Sequence, residues 1–225
     1  MKQLMLAVFI GMISLLGGCA KMPLTAATER IAADAPAIYL MTVQLENVYK
    51  PRYQPAVKQV IVVRKNAVGN DSFATLLMDE EGVVKGSRED EPARYLVRLQ
   101  MDPGAHVIQQ INARGVAFPI FGNFTVMLNA PLTVGGPGIT YLGSLSGRVL
   151  EGQSGKPSAG PLLPIIDQAI SGASTGTFEV AITDRYDEDV PLFRARFPAL
   201  KAVEIGKAIL PPVERTGVSA LPVPK

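Results

Sequence analysis

Three groups of residues have types and spacing that invite chemistry. Gly172-Ala173-Ser174-Thr175-Gly176 matches G-x-S-x-G, in which a strained strand-to-helix turn exposes a serine nucleophile. Here the apolar pattern before it reads as helix and the pattern after it as strand, so the order is reversed and a Ser/Gly loop is expected. The sole histidine, His106, must serve any Ser-His-Asp arrangement in this chain. It follows Asp102-Pro103-Gly104 by two residues, and a hydrogen-bonded structural role at a turn is the simpler expectation. Asp184, Asp187 and Asp189 lie within Asp184-Arg185-Tyr186-Asp187-Glu188-Asp189, the densest acidic stretch. Paired carboxylates can hydrolyse an envelope polymer, and clustered oxygens can hold calcium. The EF-hand order with its glycine is missing, and Asp187 or Asp189 is expected to cap a helix. Gly152 to Ser158 lacks the first glycine of a phosphate loop, with Leu150 in its place, and has Pro157 where Ser or Thr belongs. One histidine and one cysteine fall short of the usual N/S set for zinc. No catalytic residue, metal ligand or cofactor is assigned.

The elements that would position such residues are mostly strands. Tyr39, Met41, Val43 and Leu45 alternate along one face. Val57 to Arg64, Phe73 to Met78, Phe124 to Leu128, Ile139 to Val149 and Phe178 to Ile182 are further candidates. Tyr95, Val97, Leu99 and Met101 alternate with Arg98 and Gln100, the pattern of a half-buried strand, and His106 to Asn112 is its partner across the turn. Eight or nine short strands with 21 glycines and 18 prolines predict a mainly β, antiparallel β-sandwich or barrel-like domain with one or two short helices in its C-terminal half. Leu162 to Ile170 carries a helical apolar face. A second helix contains Leu192, Phe193 and Phe197, with Pro191 in its first turn and Pro198 closing it. Residues 199–210 are open between helix and strand. Val116, Phe118, Ile120 and Phe121 flank Pro119 as an apolar stretch, either core or contact loop.

The chain start is the most specific signal. Lys2 precedes an uncharged run from Leu4 to Leu16, then Gly17-Gly18-Cys19, with the only cysteine of the chain at the end. A positive start, a short apolar run and small residues make a secretory signal peptide. The run is too short for a span, which takes about 20 residues. Leu16-Gly17-Gly18-Cys19 resembles the lipobox of bacterial lipoproteins. The resemblance implies cleavage before Cys19, acylation of its sulfur and amino group, and attachment to the membrane. Two or three acyl chains anchor stably where one binds marginally. Ala20 in place of aspartate implies, in a Gram-negative envelope, the outer membrane facing the periplasm.

The expected layout is therefore a signal peptide at 1–18, a lipidated N-terminus and tether at 19–36, one β-rich domain at 37–210, and an extended Pro-rich tail at 211–225. Stretched out, the tether would reach about 60 Å. Charges nearly cancel, with 22 Lys and Arg against 20 Asp and Glu. No basic cluster marks nucleic acid, and no polybasic stretch marks anionic lipid. Tryptophan is absent, which disfavours an aromatic carbohydrate platform. Leu99 to Ile108, with its Asp102-Pro103-Gly104-Ala105-His106 turn, and Ile139-Thr140-Tyr141-Leu142-Gly143 resemble the turn and later strand of PEGA-type β-sandwich modules, which implies a sandwich and no activity. The Tyr-Leu-Gly strand and Asp-rich helix start are also similar to a family of uncharacterised bacterial lipoproteins. The sequence reading is a lipid-anchored, non-enzymatic binding or assembly module with an envelope protein as partner. A hydrolase using Asp184, Asp187 or Asp189, and a calcium-stabilised module, are the alternatives.

Overall fold

The computed structural model describes residues 19–213, apart from 33, 67–68, 70, 87–90 and 162–167. The signal-peptide segment, most of the first expected helix and nearly all of the Pro-rich tail lie outside the described residues.

The fold is mainly β and sandwich-like, built from two open sheets. The first sheet has the order β1-β4-β3-β7-β8, from Cys19–Lys21, Ser72–Leu77, Ala56–Lys65, Gly104–Ala117 and Ile120–Val134. The second has the order β10-β9-β2-β6-β5, from Gly176–Thr183, Ile139–Glu151, Ala37–Asn47, Arg94–Met101 and Val83–Val84. A short β11, Gly206–Lys207, runs parallel to β9 beyond the end of β10. The sheets are mixed rather than purely antiparallel, because β1 pairs β4 and β2 pairs β9 in parallel.

Period-two patterning sets the core between the sheets. Tyr39, Met41, Val43 and Leu45 of β2 and Tyr95, Val97, Leu99 and Met101 of β6 meet Val60, Ile108, Ile111, Phe124 and Val126 of the first sheet. The reading of β6 as half-buried is corrected: Leu96 and Arg98, on its other face, are fully buried as well. The cause is a third layer. Helix α1, Tyr186–Arg196, lies over the outer face of the second sheet. Its Val190 and Phe193, with Phe197 just beyond, recur at helical spacing and cover Ile38, Leu40, Leu96, Ile139 and Tyr141. A parallel pair covered on both faces needs near-continuous apolar strands, and β2 is buried from Ala37 through Val43.

Gly143 lets β9 serve both cores. The β2–β9 register slips between Leu40 and Thr42, with Gly143 at φ 117 on the bulged strand. The extra residue puts Leu142 and Leu145 into the inter-sheet core, while Tyr141 faces the helix. A non-glycine residue at this φ is strained.

Two local expectations change. The helix begins earlier than the acidic pattern suggested, so Pro191 lies inside it rather than in its first turn. Neither Asp187 nor Asp189 caps it; Asp184 Oδ1 accepts the Tyr186 amide at 3.0 Å. Residues 199–210 resolve into the end of a 3-10 turn, Pro198–Leu200, and the short β11.

The expected tether is drawn against the body. Cys19–Lys21 pairs with Thr75–Leu77, Met22 enters the inter-sheet core, and Leu24 enters the helix-side core. Fully buried Arg98 fastens this segment. Its Nε donates to the Pro23 carbonyl at 2.9 Å, its Nη1 to the Leu96 carbonyl at 2.9 Å, and its Nη2 to the Asp79 carboxylate. Its guanidinium also lies 4.3 Å from the Phe197 ring centre. Burial pulls the Arg98 guanidinium below its usual value, and the Asp79 carboxylate opposes that shift. Asp79 in turn accepts the Gly82 amide at 2.8 Å, capping the 3-10 turn Glu80–Gly82 that leads from β4 to β5.

Candidate functional site

The residues singled out for chemistry are far apart. His106 lies at the start of β7, at the end of the sandwich where β6 finishes. Its Nε2 is 2.8 Å from the Asp102 carbonyl, and since a carbonyl only accepts, that nitrogen carries the proton. The ring thus ties down the turn joining β6 to β7. Ser174 lies at the opposite end, in the turns before β10. That loop is held by Gln168 Oε1 accepting the Asn123 amide at 2.6 Å and by Asn47 Nδ2 donating to the Ser171 carbonyl at 3.0 Å. Ser174 and His106 are not brought together. The serine follows turns and precedes a strand, the reverse of a nucleophile elbow.

The acidic cluster also disperses. Asp184 is exposed, paired with Lys207 at 2.8 Å, and the Lys207 ammonium holds its carboxyl below the usual range. Asp187 is exposed, whereas Asp189 is fully buried and accepts the Tyr141 hydroxyl at 2.6 Å. Residues two apart on a helix point to different sides, so these carboxylates do not form a facing pair. Among the described residues no group of three His, Cys, Asp or Glu side chains is placed to hold a metal ion.

The Tyr141–Asp189 contact was not legible in the sequence, because its partners are 48 residues apart. Burial, then the hydrogen bond to Asp189, pushes the Tyr141 hydroxyl far above its ordinary value. Burial raises Tyr39 and Tyr95 as well. A phenol whose folded pKa exceeds its unfolded value contributes stability that is complete below the unfolded value. That stability is lost as pH climbs past it. Thermal unfolding should therefore show a falling melting temperature above pH 10, the ordinary tyrosine value. A flat profile there would contradict the burial of these phenols.

A cleft of about 180 Å³ opens beside His106, lined by Arg64, Phe73, Met101 and Asp102 among others. Of its polar groups, Arg64 donates to the Pro103 carbonyl at 3.3 Å and lies 3.6 Å from the Asp102 carboxylate.

The opposite end is different. β7 and β8 form a long hairpin whose tip, Phe118-Pro119, projects past the body. Phe118 is 89% exposed and Val116 62% exposed. Ile170 and Val48, in neighbouring loops at this end, are also exposed. Phe121 is half-buried, with the Arg114 guanidinium 4.2 Å from its ring centre. The stretch read as either core or contact loop thus divides, with Val116 and Phe118 in solvent and Ile120 and Phe121 half-buried. Isolated exposed hydrophobics are ordinary, and Val116 and Phe118 are the two that share this tip.

The fold is a mainly β, sandwich-like domain, with Val116 and Phe118 exposed at one hairpin end and Phe73 and Leu77 exposed on β4. No protein-family model, curated protein or solved structure matches the chain.

Proposed function

We propose that this chain is a lipid-anchored cell-envelope protein acting as a non-enzymatic binding or assembly module. Cys19 carries the acyl chains, in a Gram-negative envelope on the periplasmic face of the outer membrane, and the β7–β8 hairpin end docks an envelope protein. The observation that carries the docking half is Phe118. A phenylalanine almost fully in water gains on the order of 2 kcal/mol when a partner covers it, and nothing in the fold requires it there. The anchoring half rests on the leucine, two glycines and cysteine that end the apolar run.

Two measurements test this. Cells fed labelled palmitate should label the protein, and Cys19→Ser should lose the label entirely; an unlabelled wild-type chain refutes the anchor. A photocrosslinking residue at Phe118 should give one discrete adduct in intact cells, absent when the same residue replaces Lys201. Phe118→Ser should abolish the interaction while shifting stability by no more than about 0.5 kcal/mol, as exposed positions do. Identical adducts from both positions, or none, would remove the docking role.

A further inference from the structure

The two sheets differ on their outer faces. The second is covered by α1 and the segment around Leu24. Among the described residues no further layer lies over the first, and its registers align an apolar row across four strands: exposed Phe73 opposite buried Val63, Val63 opposite half-buried Val107, Val107 opposite exposed Pro131. Leu77 and Phe73, on the outer face of β4, are 39% and 58% exposed.

The charge of this sheet is one-sided. Its five strands contain Lys21, Lys58, Arg64, Lys65 and Arg114, and no aspartate or glutamate. Arg64 lies on the inner-face row with Val62, lining the cleft beside Met101, and both it and Lys65 meet acids from the adjoining loops, which leaves Lys21, Lys58 and Arg114 without an acid partner in the described ion pairs. The second sheet mixes signs, with Glu46, Glu151 and Glu179 among its basic residues. The sequence shows no polybasic run because these residues are scattered along it, and the sheet gathers them.

The position of β1 connects the face to a surface. Cys19 pairs with Thr75, between Phe73 and Leu77. At ~3.3 Å per residue, each lies only about 7 Å along the strand from that point. We infer that the open face of the first sheet, at its β4–β1 edge, lies on an anionic bilayer, with Phe73 and Leu77 at the headgroup level. The inference rests on the reading of Cys19 as the lipid-bearing residue. Acyl chains leaving Cys19 enter the bilayer beside these side chains, with no spacer to hold the body away. Basic side chains held near an anionic surface add attraction to it.

The test uses the full lipidated protein in vesicles. Acylation removes the Cys19 thiol, so one introduced cysteine takes a polarity-sensitive fluorophore uniquely. Probes at Phe73→Cys and Leu77→Cys should shift to shorter wavelength on phosphatidylglycerol-containing vesicles and be quenched by lipid-borne quenchers. Probes at Asp187→Cys, in the first turn of α1, and Phe118→Cys, at the hairpin tip, should stay water-like. Water-like signals at 73 and 77 overturn the proposal, as does quenching strongest at 118. Equal shifts on neutral phosphatidylcholine vesicles overturn its charge complementarity. Burial of both probes without vesicles, with dimers in solution, assigns the face to a second copy and overturns it as well. A free, reactive Cys19 thiol in the unsubstituted protein refutes lipidation separately, and the probe contrast on the membrane-bound chain still decides the face.

Discussion

Arg98→Ala should lower the melting temperature by on the order of 10 °C. Removing one member of a buried charged, hydrogen-bonded set costs about 3–5 kcal/mol, and a domain of this size loses about 2–4 °C per kcal/mol. The substitution leaves the Pro23 and Leu96 carbonyls without their donor, frees Asp79, and opens space beside Phe197. Arg98→Met/Asp79→Asn should recover much of the loss, since it keeps the stem's packing and removes the stranded charge. Because Arg98 binds Pro23, the alanine variant should also expose the following residues, so limited proteolysis should cut near Arg30 well before global unfolding. Unchanged melting and an uncut segment would mean that Arg98 does not fasten the N-terminal segment.

Tyr141→Phe should cost about 3 kcal/mol although it deletes a single oxygen. Asp189 is fully buried, and its Oδ1 has no partner among the described residues. The Tyr141 hydroxyl at 2.6 Å is the bond made by its other oxygen. Without it, a carboxylate is left inside an apolar layer with Val190 and Phe193 as helix neighbours. Adding Asp189→Asn to Tyr141→Phe should restore part of the loss in denaturant unfolding, because an amide carries no charge to desolvate. A double variant no more stable than the single one would show that Asp189 is not the source of the penalty.

The strands were legible because their signal is local. Alternation in β8 follows directly from one face meeting the core, and in β2 and β6 the face toward the first sheet carries the recognised period. What the sequence hid depends on distant contacts. Arg98 looked like a solvent position because nothing nearby indicates that α1 and Phe197, some 90 residues later, cover that face. Asp189 looked like a cap because acids at helix starts usually are, and its bond to Tyr141 is a tertiary contact. The 19–36 stretch looked like a tether because three residues in β1 are too few to show a period. The acid-free strands of the first sheet were a signal in plain view, visible only once it was known which strands share a sheet.

The parallel pairing of β2 with β9 dictates an order of assembly. β3 joins β4, and β7 joins β8, across short connections. β2 gains β6 on one edge, Ala37 beside Met101, while its other edge waits for β9 about a hundred residues downstream, Ile38 beside Ile139. Long loop closures are slow, and a chain made from its N-terminus presents β2 early. The β9-side edge of its run Ala37-Ile38-Tyr39-Leu40-Met41 is therefore open until β9 is made. An uncharged run of that kind invites pairing between chains, so newly made protein needs its β2 shielded until β9 arrives.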